Sequence, residues 1–435
     1  MEVSFFGGAG EVGRSCIVVR SGDTRIMLDA GIKLGKETTF PEIKDSELRG
    51  LDAVFITHAH LDHCGYLPHI YSRGYTGNVY GTKPTLELVN VLISDYMHIS
   101  EHKDITKEGL ADFDRKQKVL NYGEELRVRN LRIRFQSAGH ILGSSIIIVD
   151  DGEHRLIYTG DINLIKTKLL DGADLSNLHG DVLITESTYG GKHDLFNHQE
   201  TSKQMVASIK TTLLAGGKII VPSFAIGRSQ EILLLLGDNM KSGAIPNTPV
   251  YIDGMINKAM RIHRHNVIYC RKELQTSILM SDYDPFKNDN FFPVEKPGAR
   301  GKIMRTDDSS IIVTTSGMLT GGPILFYLPR MSSNSINKMI LVGYQAEDTL
   351  GREIQEGAKE VKIDKRKVRL ELAIESHHLS AHADRRQLEH LATKINGLKT
   401  IFIVHGEKSK SDELQEHFSK EYKAIVPKIG ESFTV

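Results

Sequence analysis

The chain has 435 residues, which is long enough for two or three domains and at least one large hydrophobic core. Its 55 basic and 55 acidic residues balance, so binding to nucleic acid through an overall positive charge is excluded and would require a local basic surface. No apolar run approaches 18 residues, so the composition predicts a globular protein with no membrane partner.

The first 60 residues are predicted to form strands and turns, and the segments that follow mix helix with strand. Residues 16–19 and 25–28 flank a turn signal at 21–23, which indicates a β-hairpin. Apolar positions at helix spacing predict helix within residues 84–120. Short apolar runs of the kind found in buried strands lie at residues 53–56, 131–135, 145–149, 155–158 and 182–185.

From about residue 199, helical and strand segments alternate, and this alternation predicts a parallel, doubly wound sheet. The predicted helices are residues 200–214 and 229–240, and the predicted strands are 218–221, 249–252, 310–314 and 338–342. Residues 282–302 are rich in Asp, Asn, Pro and Gly and are predicted to form a loop. The alternation continues through strands at 373–374 and 401–404.

Four potential metal ligands lie within six residues, directly after the predicted strand 53–56: His58, His60, Asp62 and His63. Zinc binds neutral imidazole nitrogens and carboxylate oxygens, and two adjacent ions form an arrangement that hydrolyses phosphodiesters. A histidine-rich surface loop is the alternative in a chain with 19 histidines. The position at the end of a buried strand, where α/β folds hold reactive groups, favours the metal site.

The same pattern, an apolar strand that ends in His or Asp, recurs at Asp29, His140 and Asp161. Each of these residues taken alone is more often a turn or capping residue. Their repetition beside the cluster at 58–63 favours further metal ligands over isolated turns.

Residues 8–13, Gly-Ala-Gly-Glu-Val-Gly, fit the glycine fingerprint of dinucleotide-binding folds, with Asp29 downstream as a potential ribose ligand. That fingerprint requires a helix to begin at the glycines, so that its N–H groups meet the pyrophosphate. Here the glycines lead into the β-patterned residues 16–19. We therefore expect a tight turn close to the metal site rather than a nucleotide site.

The three cysteines, Cys16, Cys64 and Cys270, are widely spaced and form no CxxC pair, which favours reduced thiols in a cytoplasmic protein. Cys64 follows His63 directly, and we interpret it as a small buried residue behind the metal loop rather than a thiolate ligand. The N-terminus lacks the basic and apolar segments of a signal peptide, which agrees with a cytoplasmic location.

The residues Asp29, His58, His60, Asp62, His63, His140 and Asp161 resemble the successive motifs of the metallo-β-lactamase fold. Three later segments are similar to motifs A, B and C of its nucleic-acid-processing β-CASP branch: residues 185–190 with Glu186, 379–384 with His382, and 404–407 with His405. Residues 221–231, 315–323 and 342–352 are also similar to β-CASP segments, with Asp348 where glycine is expected. The resemblance covers nearly the whole chain.

This resemblance implies an α/β protein, a metallo-β-lactamase αββα sandwich with an inserted parallel-sheet β-CASP domain. The expected domains are residues 1–190 and 371–435 for the sandwich and 191–370 for the insertion. The resemblance also implies two Zn²⁺ ions per chain, one held by His58, His60 and His140, the other by Asp62, His63 and His405, with Asp161 bridging. Asp29 is expected to orient a ligand histidine. We count Asp29 and Asp62 with the catalytic residues.

His382 lies outside the ligand set, and Glu186 is expected to pair with it. A carboxylate beside an imidazole favours the protonated form, and a protonated histidine can donate its proton to a leaving alkoxide. We therefore predict His382 as the general acid and Glu186 as its orienting partner. The alternative is that His382 is another ligand or supports one.

Ser223, Arg228, Ser316, Gly317 and Ser380 lie in glycine-containing turns at predicted strand ends. Hydroxyls, backbone N–H groups and a guanidinium in such turns suit phosphate oxygens, so we predict that they bind substrate phosphates. Helix capping is the alternative for the serines. The charge run at residues 362–369 is interpreted as a solvated face, with an RNA contact as the alternative.

The resulting prediction is a zinc-dependent ribonuclease that cuts single-stranded RNA endonucleolytically, in 3′-end processing, transcription termination or decay. By resemblance, His405 favours RNA over DNA, and the chain is most similar to archaeal homologues of the endonuclease subunit of the cleavage and polyadenylation machinery. Because the chain begins on a strand of the sandwich, we expect no N-terminal KH domain. A homodimer or a complex with other RNA-processing or transcription proteins is left open.

Three other functions compete with this prediction. A 5′-to-3′ exonuclease similar to RNase J is the nearest of them. A small-molecule hydrolase of the same fold is disfavoured, since a threaded strand gains backbone contacts from the long insertion between Glu186 and His382 and a small substrate does not need it. A catalytically dead relative is disfavoured because every ligand position is filled.

Overall fold

A computed structural model describes residues 1–35, 37–99, 105–281 and 283–435, without the side chains of residues 98 and 99. The described chain forms two compact units. The first consists of Met1–Lys166, Leu170–Leu195 and Ala381–Val435, and the second of Thr167–Leu169 and Phe196–Ser380. The domain boundaries predicted at 190/191 and 370/371 stay a prediction.

The strands are short, with three to seven residues each. In chain order they are β1 (Glu2–Gly7), β2 (Cys16–Ser21), β3 (Thr24–Leu28), β4 (Ala53–Phe55), β5 (Asn78–Gly81), β6 (Gln117–Val119), β7 (Glu125–Val128), β8 (Leu131–Ser137), β9 (Ser145–Asp150), β10 (Arg155–Tyr158), β11 (Val182–Glu186), β12 (Ile219–Pro222), β13 (Val250–Asp253), β14 (Phe291–Pro293), β15 (Ile311–Thr314), β16 (Lys338–Leu341), β17 (Glu360–Ile363), β18 (Arg366–Arg369), β19 (Ala373–Ser376), β20 (Thr400–Val404), β21 (Lys423–Ile425) and β22 (Ser432–Thr434).

The helices range from one turn to about five turns. They are α1 (Asp45–Arg49), α2 (Leu61–Cys64), α3 (Leu67–Ser72), α4 (Lys83–Ile99), α5 (Lys107–Arg115), α6 (His198–Leu214), α7 (Arg228–Lys241), α8 (Ile256–His265), α9 (Lys272–Met280), α10 (Ala299–Arg305), α11 (Ile324–Met331), α12 (Leu350–Gln355), α13 (Arg385–Lys394) and α14 (Lys408–Phe418), with a 3-10 turn at Val267–Tyr269. No helix of the described residues is both long and apolar enough to cross a membrane.

The first unit is a sandwich of two seven-stranded sheets. Their strand orders are β22-β1-β2-β3-β4-β5-β6 and β21-β20-β11-β10-β9-β8-β7. Strand β2 pairs antiparallel with β3, which confirms the predicted hairpin and shows that the glycines at 8–13 lead into a strand and not a helix. Helices α13 and α14 pack on the outer face of the second sheet, and α4 contacts β6 of the first.

Alternating side chains fill the space between the two sheets. Along β8, for example, Leu131, Ile133 and Phe135 are fully buried, as the two-residue period of a strand requires. Phe402 of β20 packs there with its ring centroid 5.2 Å from Phe5 and 5.1 Å from Phe433. The core therefore holds together strands that come from opposite ends of the chain.

Replacing Phe402 by alanine should remove the central aromatic ring of this core. Phe402 is fully buried, so we expect a loss of about 3–5 kcal/mol in the free energy of unfolding, measured by denaturant titration. The matched control is Phe292→Ala, since Phe292 is 45% exposed. Equal losses in the two variants would contradict this assignment of the core.

The second unit contains a six-stranded, wholly parallel sheet in the order β14-β13-β15-β12-β16-β19. Helices α6 and α7 pack on one face, while α11, α12 and the antiparallel hairpin of β17 and β18 pack on the other. The predicted doubly wound parallel sheet is confirmed. Strand β19 belongs to this sheet, as its edge strand.

Two segments differ from the prediction. The helical signal of residues 84–120 corresponds to α4 and α5, then to the short strand β6, and residues 100–104 lie outside the described residues. The predicted loop at 282–302, whose residue 282 is also outside them, contains the edge strand β14 and the start of α10. Strand β14 forms because its three residues pair with β13, a tertiary contact that the Asn- and Pro-rich composition hides.

Candidate active site

Most of the predicted site residues of the first unit follow the carboxyl ends of parallel strands, whereas His140 follows the antiparallel strand β8. In the first sheet, Asp29 follows β3 and residues 57–63 follow β4, and these two strands pair in parallel. In the second sheet, β10, β11 and β20 are parallel neighbours that lead to Asp161, Glu186 and His405. Since the carboxyl ends of parallel neighbours meet at one edge, loops distant in sequence are brought together.

Asp161 lies at the centre of this edge and is 1% exposed. Its Oδ2 atom lies 3.5 Å from His58 Nε2 and 3.6 Å from His140 Nε2. Its Oδ1 atom lies 3.3 Å from His63 Nε2 and 3.6 Å from His405 Nε2. The two oxygens of one carboxylate therefore face two separate pairs of imidazole nitrogens.

The remaining predicted ligands complete each group. His60 Nδ1 lies 3.2 Å from His58 Nε2 and 3.3 Å from His140 Nε2. Asp62 Oδ2 lies 3.5 Å from His405 Nε2. The structure thus brings all seven predicted ligands into two donor clusters whose ligand atoms lie within 4.8 Å of one another, His58 with His60, His140 and Asp161, and Asp62 with His63 and His405.

The second ring nitrogen of four of these histidines has a hydrogen-bond partner, which turns Nε2 towards Asp161. The contacts are His63 Nδ1 to Asp29 Oδ2 at 2.7 Å, His140 Nδ1 to the Ala381 carbonyl at 2.8 Å, His58 Nδ1 to Thr57 Oγ1 at 3.0 Å, and His405 Nδ1 to Ser15 Oγ at 2.9 Å. Partners of this kind fix the ring and raise the basicity of the ligand nitrogen. Sequence reasoning identified only Asp29 among them.

Asp29 is buried, and its carboxylate has several hydrogen-bond partners. Besides His63, its carboxylate accepts from Tyr158 OH at 2.8 Å and from the Thr57 N–H at 2.7 Å and the Thr57 hydroxyl at 2.8 Å. Its backbone φ of 59° is left-handed, a conformation that Asp tolerates better than most residues and that places the side chain beneath the histidines. Tyr158 and Thr57 were missed because a hydroxyl beside a strand end carries no distinctive pattern.

The donor chemistry of the clusters fits metal ions. Burial lowers the pKa of His58, His60 and His140, and neighbouring imidazoles lower it further, so these rings are neutral and keep a lone pair for a cation. Burial acts against ionisation of Asp161, but the positive charges of His63, His405 and His382 hold its pKa well below the ordinary range. Asp161 Oδ1 and His63 Nε2 are buried without a hydrogen bond inside the described part of the chain. A shared cation would satisfy both atoms.

His382 and Glu186 form the predicted pair. His382 Nδ1 lies 2.9 Å from Glu186 Oε2, and the other carboxylate oxygen of Glu186 accepts from the Ile162 N–H at 2.8 Å. Burial lowers the pKa of His382, but the charges of Glu186 and Asp161 outweigh it and raise that pKa to about 9. The imidazole is therefore held in its protonated form close to Asp161, 3.7 Å from Oδ2.

Two further expectations concern the surroundings of the clusters. The glycine segment 8–13 does turn beside them, since the Gly8 carbonyl accepts from the His405 N–H at 2.6 Å. Cys64 is fully buried, and burial raises the pKa of its thiol well above the ordinary value, so it remains a thiol. Neither cluster includes it.

The predicted phosphate-binding residues all lie in the second unit. Ser223 follows β12 and Ser316 follows β15, its parallel neighbour, and a Cβ on Gly317 would come within 2.9 Å of the Phe224 nitrogen. These turns therefore pack against each other at the carboxyl edge of the sheet. Arg228 begins α7, and Ser380 follows the end of β19 by four residues. Ser223, Arg228 and Ser380 are buried, and Ser316 is half-buried.

Comparison with known domain families agrees with this architecture. Residues 18–188 match the metallo-beta-lactamase superfamily domain, residues 229–354 the Beta-Casp domain, and residues 367–427 the Zn-dependent metallo-hydrolase RNA specificity domain. The fold, the donor clusters and these matches define a metallo-hydrolase of the β-CASP nuclease class.

Comparison with individual proteins identifies a family within this class. The chain is 37% identical to the transcription termination factor FttA of Methanocaldococcus jannaschii, over 97% of this chain and 70% of that protein. It is 37% identical to FttA of Methanococcus maripaludis, over 98% and 70%, and 35% identical to FttA of Lokiarchaeum sp., over 97% and 69%. The chain belongs to the family of the archaeal transcription termination factor FttA.

A solved structure extends the likeness in fold. A protein of unknown function from Enterococcus faecalis aligns with a TM-score of 0.60 at 15% identity, covering 100% of this chain and 99% of that one. At this identity the likeness concerns the fold alone. The predicted metallo-β-lactamase fold with a β-CASP domain, and the predicted ribonuclease class, are confirmed by the family matches.

Proposed function

We propose that this protein is a two-zinc endoribonuclease that cuts single-stranded RNA. The observation that carries the proposal is the position of Asp161, whose two oxygens face two separate pairs of histidine Nε2 atoms. A carboxylate in that position suits a bridge between two cations. Bound zinc ions would supply an activated water and would stabilise charge on the attacked phosphate.

The proposed ligands follow from the two donor clusters. One ion is assigned to His58, His60 and His140, the other to Asp62, His63 and His405, and Asp161 is shared. Imidazole and carboxylate donors in these numbers suit zinc, which accepts nitrogen and oxygen ligands. Asp29 orients His63 and needs no direct role at the phosphate.

We assign His382 as the general acid and Glu186 as its positioning residue. The protonated ring of His382 holds a proton that the leaving oxygen of the RNA needs. Glu186 accepts from Nδ1 and is itself fixed by the Ile162 N–H, so we assign the proton transfer to the Nε2 side of the ring.

The proposed substrate and biological role are inferred from the family matches. The match to an RNA specificity domain supports RNA as the substrate, with Ser223, Arg228, Ser316, Gly317 and Ser380 as its phosphate contacts. The name of the relatives supports a role in transcription termination. A cytoplasmic location, a homodimer or a complex with transcription proteins, and the domain limits 1–190, 191–370 and 371–435 belong to the same proposal.

Circular RNA tests both the cleavage and its mode. The purified protein is incubated with a circular RNA and with an end-labelled linear RNA of the same sequence, with and without a chelator. We expect both RNAs to be cut, and chelation to stop both reactions. An intact circle beside mononucleotides from the linear RNA would show an exonuclease, and cleavage that survives removal of metal would contradict the metal assignment.

A further inference from the structure

Strands β17 and β18 form a hairpin with one strongly basic face. Residues 359–369 contain six basic and two acidic side chains, in a chain whose formal charge is zero. All eight of these side chains are exposed, and Lys367 and Arg369 are 81% and 80% exposed. This is the kind of local basic surface that a neutral protein needs in order to hold a polyanion.

Most of these cations lack an acidic partner. Lys367 pairs with Glu360 at 2.9 Å, and Arg369 pairs with Glu371 at 3.4 Å. Within the described parts of the chain, Lys359, Lys362, Lys365 and Arg366 form no ion pair. Four positive charges on one small hairpin are therefore left for solvent or for a ligand.

The pairing register places two of the charges directly opposite each other. Lys362 of β17 faces Lys367 of β18 in the antiparallel ladder. Like charges in directly opposed positions destabilise a sheet, so folding does not account for this pair. An anionic ligand lying across the hairpin would remove that repulsion.

The hairpin presents its charges from a rigid support. On its inner face Val361, Ile363 and Val368 are buried in the core of the second unit. The connecting turn has only two residues, Asp364 and Lys365, whose φ values of 48° and 65° fit the tight turn that joins twisted strands. Residues two apart along a strand are about 7 Å from each other, so the exposed cations form a regular array on a fixed frame.

We propose that the exposed cations of this hairpin, Lys362, Lys367 and Arg369 on its outer face and Lys365 in its turn, bind the phosphate backbone of RNA. The proposal rests on the proposed ribonuclease function and adds a binding surface to it. Its occupant is RNA rather than a membrane or an acidic protein, because the RNA specificity domain match begins at residue 367, within β18. Such a surface adds affinity without sequence preference, since phosphate contacts carry no base information.

The test measures RNA binding by the metal-loaded protein at several salt concentrations. A labelled, unstructured RNA is titrated at low temperature by fluorescence anisotropy, and a gel verifies that it stays uncut. For Lys362→Glu/Lys365→Glu we expect about tenfold weaker binding at low salt and a salt slope reduced by about one to one and a half, as the loss of two phosphate contacts requires. The matched control is Lys203→Glu/Lys210→Glu, which reverses two exposed charges on α6 and should bind like the unmodified protein.

The single change Lys362→Glu separates binding from stability. It converts a like-charge pair into an opposite-charge pair, so the melting temperature should stay equal or rise while RNA affinity falls. In cleavage assays KM should rise and kcat should not change.

The proposal would be overturned by equal RNA binding of the hairpin variant and the control variant, or by a lower melting temperature for Lys362→Glu. Binding to vesicles that contain phosphatidylserine is measured in parallel. A hairpin variant that binds these vesicles more weakly but binds RNA normally would also overturn the proposal. If the unmodified protein binds RNA through the hairpin but cuts neither the circular nor the linear RNA in the cleavage assay, the proposed ribonuclease function fails and the binding surface stands.

Discussion

Replacing His382 by alanine is expected to slow RNA cleavage by about 100- to 10,000-fold while the metal content stays unchanged. The ring contacts Glu186 and lies 3.7 Å from Asp161, and these three residues form a group separate from the two clusters of proposed ligands, which share only Asp161 with it. Its loss removes a proton donor and no proposed ligand. Metal content is measured by elemental analysis, and cleavage is measured at saturating RNA.

A substrate with a better leaving group tests the role of the proton itself. When sulfur replaces the leaving oxygen, whether at the 3′ or the 5′ bridging position, departure needs no proton. His382→Ala should then cleave at least one of these substrates nearly as fast as the unmodified protein does. His390→Ala is the matched control, since His390 is exposed. Loss of metal from His382→Ala, or an equal defect on every substrate, would contradict the general-acid assignment.

The ligand residues could be predicted because short motifs stand at the ends of strands with strong apolar patterns. The order of the strands in the two sheets could not be predicted from such local motifs. Ser15 and His405, for instance, are 390 residues apart in sequence, yet their side chains lie 2.9 Å apart. That contact depends on β1 and β2 in one sheet and β20 in the other, which no local pattern encodes.

Two local features could be explained physically only once the structure was known. Asp348 stands where glycine was expected, and its φ of 61° lies in the left-handed region that glycine adopts without strain. Asp is among the few other residues that tolerate this region, so the turn keeps its shape. The support of His140 comes from the carbonyl of Ala381, a backbone group that every residue carries. No side-chain pattern could have identified it.

Metal content should respond differently to changes at His405 and at Asp161. His405→Ala removes a donor from one cluster, so we expect about one zinc ion per chain and a loss of activity of more than about 100-fold, larger than the loss of an outer partner causes. Asp161→Ala removes the carboxylate that faces both clusters and should weaken the binding of both ions. Elemental analysis after dialysis measures both effects, with His390→Ala as control.

Point changes are the sharper experiment here because deletion of the last 35 residues would remove more than a ligand. Strand β20 lies between β11 and β21 in the second sheet, and Ile401, Phe402 and Ile403 are fully buried. A chain that ends at residue 400 therefore loses nearly all of β20 and part of its core along with His405. If His405→Ala kept two zinc ions, the link from β20 to the second ion would be wrong. If His405→Ala keeps one zinc ion, the second ion links β20, near the end of the chain, to the ligands Asp62 and His63 near its beginning.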